Sequence, residues 1–491
     1  MKKVRKDRVQ KAQAAGAAAQ GTKGGAPMRQ PTENDTIAAI ATALSPSGIG
    51  IVRISGPQAT AVAAKVFAGG DVSAFESHTV HYGHIVNPAD GRVIDEVMLL
   101  VMRAPRTYTR EDTVEIDCHG GVLVTKRVLE AVLAAGARLA EPGEFTRRAY
   151  LNGRIDLSQA EAVAGVISAK NDLALRNSER QLQGRVRREI SELRAQLLRE
   201  IAQIEATLDD PEHLSFDEFD ETITKQTAEQ KKRIRRLIDT ADDGRMITEG
   251  IRTVIVGRPN AGKSSLLNAL LGEDRAIVTD IAGTTRDTLT EEVRMRGITL
   301  LLVDTAGIRA TDDAVERIGV ERARTAAAEA DLILYVADGS AVLDENDRAI
   351  LAACAGKPMI ALLNKTDLPT VTTAEELAAA VSGGGNTAPI PISAKTGEGL
   401  AALEERITGM FFAERIKADD ECVITSERHK QALIAAAESL TRVSESIEAG
   451  MSEDFYTIDL TAAYEALGTI LGEEPDEDVI NAIFAEFCLG K

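Results

Sequence analysis

Cysteine is scarce in this chain: four in 491 residues, at Cys118, Cys354, Cys422 and Cys488. They are scattered and form no C-x-x-C pair, so neither zinc-ligand spacing nor a disulfide framework is present. So few thiols in so long a chain fit a reducing compartment. Long apolar runs are missing too. Runs such as Val97–Met102 fall far short of the roughly 20 residues that a membrane-spanning helix needs, and no transmembrane helix is expected. The first 30 residues lack the apolar core of a secretory signal. They carry Lys2, Lys3, Arg5, Lys6, Arg8, Lys11, Lys23 and Arg29 against Asp7 alone, a local charge of +7. The whole chain carries −19, which leaves about −26 on the remainder. A surface of that sign repels nucleic acid, so any RNA must be held by a local basic patch or by a partner protein.

What is present is ordinary globular sequence, 44% hydrophobic and 27% charged, long enough for two to four domains. Residues 1–33, basic and rich in Ala, Gly and Gln, read as a disordered tail. They have no Ser and no amphipathic stripe, against a mitochondrial transit peptide. Met28, just ahead of the first patterned segment, leaves an upstream start codon as a second explanation of the tail.

Order is expected from near Asp35. Residues 34–150 alternate short β-like runs (Gly50–Ile54, Thr79–Ile85, Val97–Val101, Thr113–Asp117) with helical stretches (Ala59–Val66, Val122–Leu133), an α/β or α+β domain. Residues 151–247 are helical. Leu182, Val186, Ile190, Leu193, Leu197, Ile201, Ile204 and Leu208 recur every three or four residues, one apolar stripe on a long helix that Asp209-Asp210-Pro211 ends. A second helix is expected over Thr222–Ala241. Residues 248–412 return to strand–helix alternation, with strands at Thr253–Val256, Thr299–Val303, Leu332–Val336, Met359–Leu363 and Ile390–Ile392, a parallel sheet covered on both faces. Residues 413–491 are helical again. Leu433, Ala437, Leu440 and Ile447 form one stripe. Leu460, Tyr464, Leu467 and Leu471 form another, closed by Gly472, and a last helix spans Val479–Phe487. The economical arrangement is one helical domain with the α/β domain inserted into it; two separate helical modules is the alternative.

The inserted domain carries the chemistry. Gly257-Arg258-Pro259-Asn260-Ala261-Gly262-Lys263-Ser264 follows a β run and precedes helical Leu266–Leu271. That is the context in which G-x-x-x-x-G-K-[ST] cradles phosphates. Backbone N–H groups face the anion, Lys263 reaches the β- and γ-phosphates, and the Ser264 hydroxyl binds Mg²⁺. Asp304-Thr305-Ala306-Gly307 ends the next strand; Asp304 is placed to hold Mg²⁺ through water and the Gly307 N–H to meet the γ-phosphate. Asn364-Lys365-Thr366-Asp367 ends another. The Asp367 carboxylate can accept the paired N–H donors of guanine, which adenine lacks. Ser393-Ala394-Lys395 completes a base pocket. Between the first two motifs, Asp280-Ile281-Ala282-Gly283-Thr284-Thr285-Arg286-Asp287 stands where a first switch loop belongs, with Thr285 the second hydroxyl for Mg²⁺. Four motifs in this order define a P-loop G domain of the Ras-like class, a GTP-hydrolysing one. One departure is informative. Where Ras-type enzymes have a water-orienting Gln, this chain has Ile308, which cannot hydrogen-bond water. Arg309, Asp312, Asp313 and Glu316 are the candidate replacements, each otherwise a solvated surface charge.

The combination G-R-P-N-A-G-K-S-S, D-I-A-G-T-T-R-D, D-T-A-G-I-R and V-E-R-I-G resembles the MnmE (TrmE) family of tRNA modification GTPases of bacteria and mitochondria. The likeness extends over residues 34–491. It includes Asp35-Thr36-Ile37-Ala38, Gly50-Ile51-Val52-Arg53-Ile54-Ser55-Gly56, His119-Gly120-Gly121, Pro142-Gly143-Glu144-Phe145-Thr146 and the ending Phe487-Cys488-Leu489-Gly490-Lys491. By resemblance, the G domains pair across a homodimer and K⁺ stands in for an arginine finger. Asn260, Thr279, Ile281 and Thr284 would hold that ion, and Glu316 would orient the attacking water. Ser265, Thr279, Asp280, Ile281, Ala282, Gly283, Thr284, Thr305 and Ala306 join the nucleotide site, and Lys263 and Glu316 are the expected catalytic groups.

The resemblance also implies a tetrahydrofolate derivative, of 5-formyl or methylene type, bound by Arg53, Glu115, Arg154 and Lys491. From sequence alone Arg53 and Glu115 read equally as an ordinary ion pair, and Cys488 as a buried apolar thiol. Arg154 stands where relatives often have Lys, which keeps the charge but changes its geometry. The implied process is addition of an aminomethyl or carboxymethylaminomethyl group to carbon 5 of the wobble uridine of certain tRNAs. The implied partner is an FAD-containing protein of the MnmG (GidA) type, in a heterotetramer, with no membrane involved. Bacterial cytoplasm is favoured over the mitochondrial matrix. A ribosome-assembly GTPase is one alternative, against which stand a single P-loop and no G-x-x-G RNA clamp after residue 413. A folate-dependent transferase with an inactive G domain is the other, against which stand the intact Lys263, Ser264, Thr285 and Asp304.

Overall fold

The computed structural model describes residues 35–209, 216–272, 291–295, 297–303, 324–381, 388–412, 422–473, 477–485, 487 and 490–491. These fall into two units. The first ends at Arg154 and takes in Phe487–Lys491; the second spans Ile155–Glu486.

The first unit is framed by a seven-stranded sheet. Its strands are β1 (Ile37–Ile40), β2 (Ile49–Ser55), β3 (Phe67–Ala68), β4 (Thr79–Val86), β5 (Val93–Met102), β6 (Thr113–His119) and β7 (Arg138–Leu139), ordered β3-β4-β5-β6-β2-β1-β7. Neighbours pair antiparallel except β1 with β7. The period-two alternation of β6 buries Val114, Ile116 and Cys118 and leaves Glu115 and Asp117 on the other face. Helices α1 (Ala59–Val66) and α2 (Val122–Ala134) cover the apolar face, where Val62, Val66, Val128 and Val132 share a core with Val52, Ile54, Leu99 and Ile116. Helix α3 (Glu144–Leu151) starts from Gly143, whose φ of 68° suits glycine. Its Arg148 is buried, with nitrogens 2.5 Å from Asp35, 3.1 Å from Glu111 and 3.0 Å from Glu144. Arg138 reaches the same Asp35 and Glu144, each at 2.7 Å. A buried charge is tolerable only with such partners. They tie β1, the loop before β6, β7 and α3 together.

The second unit opens with helices α4 (Leu157–Ser168), α5 (Asp172–Leu182), α6 (Arg185–Asp209), α7 (Phe216–Asp239) and α8 (Ala241–Thr248). The expected apolar stripe is real, since Val186, Ile190, Leu193, Leu197, Ile201 and Ile204 are all buried. It is not one helix, however. Leu182 ends α5, and Gly184 at φ 80° turns the chain before α6 begins. A periodic stripe runs straight through such a turn when the glycine falls on the polar side. The second helix is also longer than expected, starting at Phe216.

A six-stranded sheet follows: β8 (Ile251–Val256), β9 (Glu291–Met295), β10 (Ile298–Leu302), β11 (Leu332–Asp338), β12 (Met359–Asn364) and β13 (Ile390–Pro391), ordered β13-β12-β11-β8-β10-β9. It carries α9 (Lys263–Leu270), α10 (Glu345–Ala353), α11 (Ala374–Ala380) and α12 (Leu400–Phe412). One face packs Leu266, Leu270, Leu403 and Ile407 against Ile255, Leu300, Leu334 and Leu362; the other packs Ile350, Leu351 and Leu377 against Val254, Ile333 and Tyr335. The sheet is parallel as expected, with one addition. β9 lies antiparallel at the edge, and its charged Glu-Glu-Val-Arg sequence hid it.

The chain then returns as α13 (Glu427–Glu448), α14 (Glu453–Leu471) and α15 (Glu477–Ala485). The last helix stops at Ala485, short of the expected Phe487, which belongs to the first unit. Val186, Ile190, Leu193 and Leu197 share one core with Leu433, Leu440, Leu460 and Leu467, so the halves before and after the α/β domain make a single helical domain. Each such side chain contributes roughly 1.5–3 kcal/mol on full burial. The closing point is tight. A Cβ at Gly244 of α8 would stand 1.8 Å from the Ile424 carbonyl oxygen. The Ile424 N–H donates to Thr240 Oγ1 at 3.1 Å, and Gln181 Nε2 donates to the Val423 carbonyl at 2.9 Å.

Inside the bundle, Gln230 Nε2 donates to Glu200 Oε1 at 2.7 Å, while Glu200 Oε2, Gln230 Oε1 and Thr227 Oγ1 are buried without a hydrogen-bond partner among the described residues. Burial pushes the Glu200 carboxyl up to about 7, against the pull of Gln230 and Arg199. The folded protein therefore holds a proton that the unfolded chain releases near pH 4.5, and stability falls as pH rises from there to about 7. Glu200→Gln should abolish that fall, for a gain on the order of 3 kcal/mol at pH 8 at most. Thermal unfolding at pH 5 and pH 8 tests it; an unchanged difference between the two pH values in the variant would reject the protonated assignment.

Candidate functional site

The nucleotide motifs converge at the ends of β8, β11 and β12. The loop after β8 needs its glycines. Gly257 and Gly262 have φ of 154° and 98°, and a Cβ would lie 2.3 Å from the Val336 carbonyl oxygen or 2.1 Å from Asn364 Nδ2. Asn260, at φ 63°, is the non-glycine residue that tolerates this region best. Gly262 caps α9, whose first turn brings Lys263, Ser264 and Ser265 to the loop, with both serines exposed. The Lys263 ammonium donates to the carbonyls of Gly257 at 2.8 Å and Arg258 at 2.7 Å, which holds it over the loop.

Asn364 joins this loop to the base pocket. Its Nδ2 donates to the Ala261 carbonyl at 2.8 Å, and its Oδ1 accepts from the Ala394 N–H at 3.0 Å. The side chain is 2% exposed. Asp367 is exposed, and its Oδ1 accepts from the Ser393 hydroxyl at 2.8 Å. Lys365 pairs with Asp338 at 2.7 Å. Burial alone would raise the Asp338 carboxyl; Lys365 and the Ser340 hydroxyl and N–H hold it below the usual range. Asn260–Ser265, Asn364, Lys365, Asp367, Ser393, Ala394 and the exposed Lys395 are thus brought together. Thr279–Thr285, Asp304, Thr305, Ala306, Gly307 and Glu316, with Ile308, Arg309, Asp312 and Asp313, lie outside the described residues.

A second set of residues gathers in the first unit. Arg53 and Glu115 face each other in the β2–β6 register, with Nε 2.6 Å from Oε1. Arg53 also donates to the Gly490 carbonyl at 3.2 Å and lies 5.6 Å over the Phe145 ring. Gly490, at φ 93°, sits so close to β1 that a Cβ would stand 2.3 Å from the Ile40 carbonyl oxygen. That approach brings Lys491 beside Arg53. Burial and then the Arg53 charge lower the Lys491 ammonium, against Glu115. Arg154 stacks 4.7 Å over Tyr108, whose hydroxyl is 2.9 Å from Thr146 Oγ1. Burial raises the Tyr108 phenol, against Thr146, Arg154 and Arg53. Arg53, Glu115, Arg154 and Lys491 therefore share one neighbourhood. Its donor set, three cations and one carboxylate around two aromatic rings, suits an anionic, ring-bearing ligand.

Sequence reasoning missed Tyr108 and Phe145 as the rings against Arg154 and Arg53, and also Asp117. Asp117 stands two positions from Glu115 on the same face of β6, with Oδ1 buried and no hydrogen-bond partner among the described residues. Burial and then the Glu115 charge raise its carboxyl. Phe145 and Thr146 belong to the Pro142–Thr146 motif, and that motif was the available signal. Among the described residues no group of three or more His, Cys, Asp or Glu could hold a metal, and no helix is long and apolar enough to cross a membrane.

Two family profiles match the chain, described as the MnmE helical domain over residues 157–488 and the GTP-binding protein TrmE N-terminus over residues 36–154. The chain belongs to the MnmE family. Members named tRNA modification GTPase MnmE include one from Lachnoclostridium phytofermentans, 55% identical over 94% of this chain and 100% of the relative. Another, from Lactobacillus delbrueckii subsp. bulgaricus, is 49% identical over 94% of this chain and 99% of the relative. Among solved structures, the G domain of the T. maritima FeoB iron transporter covers 32% of this chain and 96% of its own, at 24% identity and a TM-score of 0.24, a likeness too slight to bear on function. The MnmE assignment agrees with the expected architecture: an α/β N-terminal domain and a helical domain interrupted by a P-loop G domain.

Asn364→Ala removes two hydrogen bonds and leaves the Ala261 carbonyl and Ala394 N–H buried and unpaired, at roughly 1–3 kcal/mol per orphaned group. GDP affinity should fall by at least tenfold while the far-ultraviolet circular dichroism stays native. Fluorescent-nucleotide titration reads this directly; wild-type affinity in the variant would show that the bridge does not shape the pocket.

Proposed function

We propose that this chain hydrolyses GTP and works with an FAD-containing partner of the MnmG (GidA) type, in a heterotetramer. Together they add an aminomethyl or carboxymethylaminomethyl group to carbon 5 of the wobble uridine of certain tRNAs. The observation that carries the nucleotide half is the Asn364 bridge, which sets the phosphate loop at a fixed distance from Asp367 and Ser393. Family membership over nearly the whole chain supports the tRNA half. The bacterial relatives favour a cytoplasmic setting over the mitochondrial matrix. We take residues 34–150 as the folate-binding domain, 248–412 as the G domain, and 151–247 with 413–491 as the helical domain.

In this reading Lys263 and the N–H groups at the start of α9 bind the β- and γ-phosphates, and the Asp367 carboxylate selects guanine. The Ser264 hydroxyl is a hard oxygen donor at the right end of α9, so the residues fit Mg²⁺, which Ser264 and Thr285 would hold directly and Asp304 through water. Magnesium, when bound, neutralises charge on the phosphate oxygens. Asn260 presents an exposed side chain beside the loop and fits K⁺, with Thr279, Ile281 and Thr284 as the other oxygen donors. Glu316 orients the attacking water, the task Ile308 cannot perform. Phosphoryl transfer needs charge stabilisation and positioning above all, and this set supplies both. The G domains pair in a homodimer to complete it.

The pocket around Arg53 takes the tetrahydrofolate derivative. Arg53 and Lys491 would meet its anionic groups and Glu115 would accept ring N–H donors, beside the stack of Arg154 on Tyr108.

GTP turnover at matched ionic strength should be at least tenfold faster in KCl than in NaCl. Glu316→Ala should keep GTP binding and lose most of that turnover. Equal rates in the two salts would remove the assigned cation role. Nucleoside mass spectrometry of tRNA from a deletion strain complemented with wild type or Lys263→Ala tests the larger reading, which fails if wild type restores no modified uridine.

For the pocket of the first unit, Arg53→Ala should weaken 5-formyltetrahydrofolate binding at least tenfold by calorimetry and leave GDP affinity alone. Unchanged folate affinity would return Arg53 and Glu115 to a plain ion pair.

A further inference from the structure

In a chain of net charge −19, two stretches of the helical domain carry the opposite sign without interruption. Residues 185–188 supply Arg185, Arg187 and Arg188, and residues 231–236 supply Lys231, Lys232, Arg233, Arg235 and Arg236, with no acid in either. The fold brings them to one end of the α6–α7 pair. Arg233 of α7 reaches across to α6, 2.8 Å from Glu189, 3.3 Å from Glu192 and 3.4 Å from Gln196, which fixes the second stretch alongside the beginning of α6. Arg233 thereby neutralises the nearest acids. Of the others, Arg187 lies 3.6 Å from the largely buried Asp156, and Arg235 lies 3.1 Å from Asp239 at the surface. Arg188, Lys232 and Arg236 are exposed, and their side chains have no ion pair or hydrogen bond among the described residues.

This arrangement runs against the protein's own stability. The first turn of α6 contains no acidic residue and three arginines, where the helix dipole favours the reverse. Like charges on neighbouring helices repel as well. Glu189, Glu192 and Asp239 relieve part of this on the helices themselves, but not at Arg188, Lys232 and Arg236, where an anionic partner would supply the rest. The surface is also the wrong kind for a protein partner. No large apolar side chain is exposed between 185 and 192 or between 229 and 239. Protein interfaces need such anchors and are depleted of lysine at their centres, whereas phosphate-binding surfaces are built of Arg and Lys.

We propose that the basic end of the α6–α7 pair is a docking surface for the phosphate backbone of RNA. This rests on the tRNA-modification reading above and gives it a location. The interaction is sequence-independent and electrostatic: it positions the RNA and leaves base recognition elsewhere. It also reconciles RNA binding with a chain whose overall charge opposes it.

The test uses the full chain and bulk tRNA, by fluorescence anisotropy at several KCl concentrations. The triple variant Arg188→Ala, Lys232→Ala, Arg236→Ala should bind at least tenfold more weakly at low salt. Its slope of log K against log[KCl] should fall by about 2 to 3, since each phosphate that is no longer neutralised takes away roughly 0.7–0.9. The charge-reversed triple, with Glu at the same positions, should bind more weakly still, and replacing Arg188 and Arg236 by Lys should restore most of the affinity. GTP turnover should match wild type in all of them, because these residues lie outside the nucleotide site. Wild-type affinity and slope in both the alanine and the glutamate triples would overturn the proposal. So would loss of modified uridine in cells with tRNA binding intact, which would assign the patch to an acidic protein surface instead. Failure of wild type to restore modified uridine, with tRNA binding still dependent on the patch, would sink the modification reading and leave the RNA surface standing.

Discussion

A guest domain can sit inside another only if the chain leaves and re-enters at one place, and the contact between α8 and residues 422–425 meets that constraint. Gly244 permits an approach that no other side chain would allow, since its Cβ position falls 1.8 Å from a backbone oxygen. Thr240 and Gln181 then occupy the backbone groups of Ile424 and Val423. Once the crossing is fixed, α13 and α14 fall against α6 and α7, and the two stripes close on each other. The edge of the inserted sheet is secured nearby. Asn171, the N-cap of α5, donates to the Ile247 carbonyl at 3.1 Å and to Thr299 Oγ1 of β10 at 3.3 Å, while Lys170 pairs with Glu292 of β9. The hairpin held in this way lies in sequence between Asp280–Asp287 and Asp304–Gly307.

What could be read from the sequence was what lies contiguous along it. The phosphate loop and the guanine motif are short strings whose spacing is set by a strand, a turn and a helix, so their residues meet wherever the motif occurs. The bundle stripes were legible for the same reason, and Gly472 closes α14 in the left-handed conformation that its type predicts. The break at Gly184 was not legible, because an apolar period carries on across a turn that happens to preserve its phase. Nor was β1, whose Ile-Ala-Ala-Ile is buried along nearly its whole length and offers no alternation. The cluster around Arg53 in the first unit was the least accessible. Tyr108, Glu115, Phe145 and Lys491 come from separate parts of the chain, and only the register of β2 with β6 and the approach of Gly490 to β1 bring them together. The family resemblance supplied Arg53, Glu115, Arg154 and Lys491; it could not supply the neighbouring Tyr108 ring or Asp117.

Charge is used in two opposite ways. In the first unit Arg138 and Arg148 are surrounded by Asp35, Glu111 and Glu144, so that burial is balanced by partners on every side. In the bundle Glu200 has only Gln230, and it remains in the core by keeping its proton. The first arrangement fixes geometry over a wide pH range. The second makes the bundle less stable as pH rises from about 4.5 to about 7.

The divided bundle also dictates an order of events at the ribosome. The stripe of α6 is complete when Ile204 has been made and Ile223, Ile234 and Leu237 of α7 join its core soon after, but the part of that core from Ile424 to Leu471 comes only after the G domain. The G domain's own strands and helices lie wholly between those points, and the residues they pack against are nearer neighbours along the chain. During synthesis the sheet can therefore form first, as an island, while α6 and α7 wait with leucines and isoleucines still uncovered. That interval, set by elongation at roughly 5–20 residues per second, is when the nascent chain is most exposed to aggregation and most in need of a chaperone.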